Sequence, residues 1–250
     1  AHLHDAPLMV FLHEGLGSVA MWRDYPKQLC NALGVRGLVY SRPGYGQSTP
    51  RAANERWAPD FMHRQAHEVL PALLQALQVS EAPWLFGHSD GGSIALLYAA
   101  RHACAGLMVL APHIRVENVS VSSIAVAKEA YENTDLRQRL ARYHSDVDSA
   151  FWGWNRIWLA PEFRSWSIDN ELSTISCPVL AVQGINDEYG TLAQIRNIQH
   201  HVPQTQLLEI DQCGHSPHKD QTQVLTQACF DFFNAQCKAQ SFFPCNFSNN

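Results

Sequence analysis

The chain has 250 residues, of which 46% are hydrophobic and 16% charged, a length and balance that suit one globular α/β domain with an insertion. A net charge of −5 argues against nucleic acid or an anionic membrane as the main partner. No apolar run approaches the ~20 residues needed to span a bilayer.

Leu8 to Leu12 is a continuous apolar run, the pattern of a strand buried on both faces. It ends in His13-Glu14-Gly15-Leu16-Gly17-Ser18. Met21 to Ala32 reads as a helix containing Trp22, Tyr25 and Leu29. Leu38 to Tyr40 is a short strand that leads into Ser41-Arg42-Pro43-Gly44-Tyr45-Gly46-Gln47-Ser48. Asp60 to Leu77 has helical periodicity through Phe61, Val69, Leu73 and Leu77, and Pro71 should kink or break it.

Trp84-Leu85-Phe86 is a further apolar run. Gly87-His88-Ser89-Asp90-Gly91 follows it, and a helical stretch then runs from Gly92 to Arg101, with Ile94, Leu97 and Tyr98 spaced for one face. Leu107 to Leu110 is another buried strand. From His113 to Ser176 no buried strand is predicted. Helical stretches cover Ser123 to Glu132, Leu136 to His144 and Asp148 to Trp158, and Trp152, Trp154, Trp158 and Trp166 crowd this segment. Val179 to Val182 returns to a strand and ends in Gln183-Gly184-Ile185-Asn186-Asp187-Glu188. Thr191 to His200 is helical. Gln206 to Ile210 is the last strand, followed by Cys213-Gly214-His215-Ser216-Pro217. Gln221 to Lys238 is a final amphipathic helix, and Ser241 to Asn250, without periodicity, is expected to be a disordered tail.

The segment Gly87 to Gly91 fits G-x-S-x-G between a strand and a helix. A tight strand-to-helix turn strains the backbone of its central residue, and residues two positions either side must lack side chains for the chain to pass closely. The start of the helix offers free N–H groups and a partial positive charge to a developing oxyanion. By these residues, by His13 to Ser18 and by the Asp187/His215 pair, the chain resembles the α/β-hydrolase superfamily, in particular its small, capped, esterase-like members.

That resemblance covers nearly the whole chain and implies a mostly parallel sheet with helices on both faces. The core would be formed by residues 1–111 and 177–240, with a helical cap inserted over 112–176. Members usually have two strands before the one at Leu8, so the resemblance implies a chain that starts late. His13 to Ser18 is similar to the family's H-G-x-x-G-S oxyanion loop, with Glu14 where the family usually has glycine. By position Gly15 is the first choice of N–H donor and Leu16 the second, beside the Asp90 N–H. Ser41 to Ser48 looks like the family's D-x-x-G-x-G-x-S loop, with serine in the acidic position, and is assigned no chemistry.

Ser89, Asp187 and His215 occur in the α/β-hydrolase order. Each follows a predicted strand, so all three fall on the edge where open α/β sheets place their sites. A serine hydroxyl needs a base, for which His215 is the candidate. The imidazole needs a carboxylate to fix its tautomer, and Asp187 fits. Glu188 and Asp211 are rival acids. His88 should point away from Ser89 as a packing residue. Glu14, His113, Trp152, Trp154 and Trp158 are expected to line the substrate pocket, although each tryptophan taken singly is more readily part of the cap's own core. Trp154 and Trp158 share a helix face, while Trp152 points elsewhere.

The expected activity is a serine hydrolase acting on a small apolar or aromatic carboxylic ester, thioester or lactone, with no metal or organic cofactor. A carbon–carbon bond hydrolase with the same three residues, and a non-catalytic binding protein of this fold, are the alternatives. The protein is expected to act as a monomer or homodimer. The N-terminus lacks a signal-peptide pattern. Seven cysteines without C-x-x-C spacing suggest reduced thiols, so a cytoplasmic location is expected.

Overall fold

The computed structural model describes residues 6–52 and 54–241. Six strands, β1 (Leu8–Leu12), β2 (Arg36–Val39), β3 (Trp84–His88), β4 (Gly106–Leu110), β5 (Val179–Gly184) and β6 (Thr205–Ile210), form one sheet. Their order is β2-β1-β3-β4-β5-β6 and every pairing is parallel. Parallel neighbours require crossovers, and those crossovers place helices on both faces.

Alternate strand residues therefore serve two cores. Val10, Leu12, Leu85, Leu107, Val109, Val179 and Ala181 face one core, while Met9, Phe11, Phe86, Met108, Leu110, Leu180 and Val182 face the other. Strands β1, β3, β4 and β5 are buried along their whole length. Each fully buried large apolar side chain contributes roughly 1.5–3 kcal/mol.

The helices are α1 (Tyr25–Leu33), α2 (Phe61–Arg64), α3 (Leu70–Ala76), α4 (Asp90–Ala99), α5 (Asn118–Asn133), α6 (Leu136–Leu140), α7 (Val147–Leu159), α8 (Asp169–Leu172), α9 (Ala193–His201), α10 (Pro217–Asp220) and α11 (Thr222–Ser241). Helices α1 and α11 contribute to the second core. Helix α4 is buried on every side beneath the first. Among the described residues no helix is long and apolar enough to cross a membrane.

Several boundaries differ from the sequence reading. The helix expected over Met21–Ala32 is two pieces. A single turn at Ala20–Trp22 ends at Arg23, whose φ is 52°, and α1 restarts with Pro26 in its first turn. The helix expected from Asp60 is interrupted by a π turn at Gln65–Val69. Pro71, lacking an N–H, then sits in the first turn of α3, where no donor is needed. The stretch Leu136 to His144 is helical only as far as Leu140. The short helices α8 and α10 carry too few residues for a visible period. The tail expected at 241–250 lies outside the described residues, apart from Ser241 at the end of α11.

Between β4 and β5 the chain leaves the sheet for α5 to α8. The two ends of this excursion pair with each other. Arg115 and Ser167 form an antiparallel bridge, and Ile168 N–H donates to the Ile114 carbonyl at 2.8 Å. Gln194 of α9 clamps the entry point, accepting from Ile114 N–H at 2.8 Å and donating to the Arg115 carbonyl at 3.0 Å. Helices α5 and α7 pack together, with Tyr131 stacked on Phe151 at 3.6 Å between ring centroids. The Asn155 amide donates to the Ile124 carbonyl at 3.1 Å.

Candidate active site

Ser89 sits between β3 and α4 with φ 54° and ψ −121°, a conformation that costs a non-glycine residue on the order of 1–3 kcal/mol. Its neighbours hold it there. Ser89 N–H donates to the Leu110 carbonyl at 2.8 Å, and the Ser89 carbonyl accepts from Gly92 and Ser93 N–H at 2.8 and 3.0 Å. A Cβ at Gly87 would overlap the Gly91 carbonyl, and one at Gly91 would overlap the Leu12 carbonyl. Both positions therefore require glycine, and the turn stays sharp. Ser93 Oγ donates to the His113 carbonyl at 2.6 Å and accepts from His113 N–H at 3.0 Å, tying α4 to the end of β4.

Asp187, directly after the turn at 185–186 that follows β5, and His215, past β6, meet at the same sheet edge. His215 Nδ1 lies 2.8 Å from Asp187 Oδ1. The Asp187 side chain is 1% exposed and takes two more hydrogen bonds, from Tyr189 N–H at 2.8 Å and from Gln183 Nε2 at 3.0 Å. Burial alone would raise its pKa. Hydrogen bonding and charge from His215, with the Tyr189 N–H, outweigh burial and hold the carboxyl below its ordinary range.

A cavity of about 120 Å³ opens between Glu14, Gly15, Leu16, Ser89, Asp90, His113, Ile124, Trp154, Trp158, Tyr189 and His215. The structure thus brings together Ser89, His215, the three expected N–H donors Gly15, Leu16 and Asp90, and four of the five expected pocket residues. No hydrogen bond joins Ser89 Oγ to the imidazole among the described residues, in keeping with the loose geometry common before substrate binds. Trp154 lies directly over Gly15, where any Cβ would meet its indole.

Trp152 is the exception. It lies outside this cavity and packs against Tyr131 at 5.6 Å, with the Arg156 guanidinium 5.3 Å above its ring. Two residues along a helix correspond to roughly 200°, so Trp152 and Trp154 cannot face the same space. Trp166 is buried against Phe163 at 5.2 Å and serves the core. Of the rival acids, Glu188 accepts from His215 N–H at 3.2 Å, a backbone contact, and Asp211 is exposed at the end of β6.

The loop after β1 is held by its carbonyls. Arg42 N–H donates to His13 Nε2 at 3.0 Å, so His13 must carry its proton on Nδ1, which donates to the Glu14 carbonyl at 2.7 Å. Arg42 Nη2 donates to the same carbonyl at 2.8 Å. His144 accepts from Gly46 N–H at 3.0 Å through Nδ1, so its Nε2 donates to the Leu16 carbonyl at 3.0 Å. In a trans peptide the N–H points opposite to the carbonyl. With Glu14 O turned toward His13 and Arg42, Gly15 N–H is turned the other way. The N–H groups of Gly15, Leu16 and Asp90 donate to no backbone carbonyl among the described residues.

The Glu14 side chain faces His88, Oε2 to Nδ1 at 3.7 Å, and Lys219 Nζ at 3.9 Å. Burial opposes its charge, but His88, Lys219 and His218 hold the carboxyl well below its ordinary range. His88 turns away from Ser89, as expected. Its Nε2 nonetheless lies 2.7 Å from the His215 carbonyl, so it supports the loop that carries His215. His113 is pushed down to about 3 by burial and the His215 charge, so it is neutral at physiological pH.

Arg42, His144, Tyr189 and Ile124 were not singled out from sequence. Only Arg42 had a visible signal, its place in the Ser41–Ser48 loop, and that loop supports the site rather than lying apart from it.

A parallel sheet with helices on both faces and a cavity at its carboxyl edge defines a class, the doubly wound α/β fold. The alpha/beta hydrolase family model matches residues 9–228, and the chain belongs to that family. A search of curated proteins returns no match. Solved structures of the same fold include a thermophilic esterase from Thermogutta terrifontis. It is 19% identical, with 92% of this chain and 90% of that one covered and a TM-score of 0.71. The enol-lactonase from Burkholderia xenovorans is 20% identical over 92% of each chain, with a TM-score of 0.72. The meta-cleavage product hydrolase from Pseudomonas fluorescens is 17% identical, with 92% and 91% covered and a TM-score of 0.66.

Proposed function

We propose that the protein is a serine hydrolase that cleaves a small carboxylic ester, thioester or lactone through an acyl-enzyme on Ser89. One observation carries this reading. The strained Ser89 shares a cavity of about 120 Å³ with an imidazole whose far nitrogen is 2.8 Å from a buried, low-pKa carboxylate. His215 would take the Ser89 proton as the carbonyl is attacked and return it to the leaving group. Asp187 would fix the Nδ1–H tautomer and stabilise the imidazolium. The N–H groups of Asp90 and Gly15 would hold the oxyanion. Water activated by His215 would then release the acid and free the serine.

The cavity volume favours short acyl groups, and Trp154, Trp158 and Ile124 give it an apolar roof. The reaction needs no cofactor. A graded panel of acetyl to octanoyl esters, with lactones and a vinylogous 1,5-diketone, tests the reading. The expected result is multiple-turnover hydrolysis of the short esters, lost on the order of 10⁴-fold or more in kcat in Ser89→Ala. Cleavage of the diketone alone would favour the carbon–carbon hydrolase, and stoichiometric binding without turnover would favour a receptor.

A further inference from the structure

Four polar atoms of the residues that line the cavity have no hydrogen-bond partner among the described residues, and one of them is His113 Nδ1. Both carboxylate oxygens of Asp90 are buried and unpaired, and so is the indole Nε1 of Trp158. Asp90 and Trp158 are each 1% exposed, and both line the cavity beside Ser89. The indole N–H is close enough to favour the ionised carboxyl, yet it does not meet it in hydrogen-bond geometry. Arg42 acts on Asp90 only through its charge. Its Nη2 is spent on the Glu14 carbonyl at 2.8 Å, its guanidinium lies 4.8 Å from the centre of the Tyr45 ring, and it forms no ion pair with Asp90 among the described residues.

A buried carboxylate with no well-formed hydrogen bond is costly, because nearby charge only partly replaces the water it has given up. The first turn of α4 needs no acid here. Asp90 caps no N–H with its side chain, and the oxyanion role assigned to this position uses only its backbone. An apolar residue would complete the apolar roof at less expense. Such groups are retained where a ligand completes them.

We infer that Asp90 and Trp158 form a polar subsite that takes a hydroxyl group on the substrate, so that the preferred ester carries a hydroxyl close to its scissile carbonyl. This rests on the hydrolase reading above. A hydroxyl both donates and accepts. It can donate to Asp90 while accepting from Trp158 Nε1, which satisfies both orphans with one group. An ammonium could donate to Asp90 but has no lone pair for the indole, and Arg42 already offsets the carboxylate charge. A plain alkyl chain would leave the Asp90 oxygens and the indole N–H unpaired. Sites built this way discriminate strongly against analogues that lack the polar group.

The test compares kcat/KM for matched esters with and without one hydroxyl. Methyl 3-hydroxybutyrate is set against methyl butyrate for the acyl side, and ethylene glycol monobutyrate against ethyl butyrate for the alcohol side. Wild type should prefer the hydroxylated member of at least one pair by more than about tenfold. Asp90→Leu, close in shape and without polar atoms, should bring that ratio to about one or below. Trp158→Phe, which keeps most of the ring and loses the N–H, should lower it about three- to tenfold.

Ratios near one for both pairs in wild type would overturn the proposal and assign the orphans to a buried water. So would a ratio that survives in Asp90→Leu, or a 3-aminobutyrate ester preferred over its hydroxyl counterpart. The hydrolase reading is judged separately, by turnover of the unsubstituted esters. If none turns over, calorimetric binding of the same pairs to Ser89→Ala decides the subsite, and equal affinities would overturn it.

Discussion

Two aspartates with buried side chains serve the Ser89 site, and they are oppositely treated. Asp187, with a side chain 1% exposed, accepts from His215, Tyr189 N–H and Gln183. Asp90, also 1% exposed, accepts from nothing among the described residues. Burial pushes both carboxyls up. At Asp187 the hydrogen bond and charge of His215, with the Tyr189 N–H, reverse the push and the pKa falls, whereas at Asp90 it rises to about 6, moderated by Arg42 and Trp158. Depth of burial therefore does not set the state of a carboxylate; the donors around it do. Asp187 is finished in the free protein. Asp90 is left to be finished by what binds.

The largest expected effect comes from breaking the finished side. Asp187→Asn keeps the shape but offers His215 an amide N–H, which favours the wrong tautomer. It should cost on the order of 10³- to 10⁴-fold in kcat. Glu188→Gln touches only the His215 backbone contact and Asp211→Asn touches an exposed side chain, so each should cost far less. Steady-state kinetics on one short ester compares the three, and a larger loss from either rival would make it the acid.

The unfinished side should show itself in stability. The folded Asp90 carboxyl titrates at about 6 against an ordinary 3.8. Between these values the folded state holds the proton more tightly than the unfolded chain, so this group favours folding at low pH and loses that advantage as pH rises. Asp90→Asn, permanently neutral, should exceed wild type at about pH 8 by up to roughly 3 kcal/mol, from about two pKa units. The gap should close as pH falls below about 4. Denaturant melts at several pH values measure it. A gap that does not change with pH would mean that Asp90 carries no buried-charge cost.

The smallest effects separate the tryptophans of α7. Trp154→Ala removes roof area next to Gly15 and should cost roughly 1.5–3 kcal/mol in kcat/KM for medium-chain esters. Acetyl esters, which do not reach the roof, should change little. Trp152→Ala, outside the cavity, should leave the chain-length profile as it is. Equal loss across all chain lengths in both variants would make the two tryptophans structural.

The parts of the site legible in the sequence were those that local rules determine. Strands buried on both faces show as apolar runs, and Gly87 and Gly91 mark a turn that tolerates no Cβ. Asp187 and His215 are placed by the strands before them. Arg42 and His144 reach the site through contacts between distant segments, and no local period encodes those. Helix α5 starts at Asn118, earlier than its apolar period suggests, because its first turn rests on the turn after β5. Ser120 Oγ donates to the Tyr189 carbonyl at 2.6 Å. Pro71 was legible as a disturbance, but its outcome, a π turn rather than a break, depends on the packing of Phe61, Ala66 and Leu70 in the first core.

The central claim is a covalent intermediate on Ser89, and intact-mass spectrometry after treatment with a fluorophosphonate tests it most directly. Wild type should gain one phosphonyl group, mapped by digestion to the peptide containing Ser89, and Asp187→Asn should label far more slowly. Folded Ser89→Ala should gain none. Labelling that persists in Ser89→Ala, or that maps to another residue in wild type, would contradict the account.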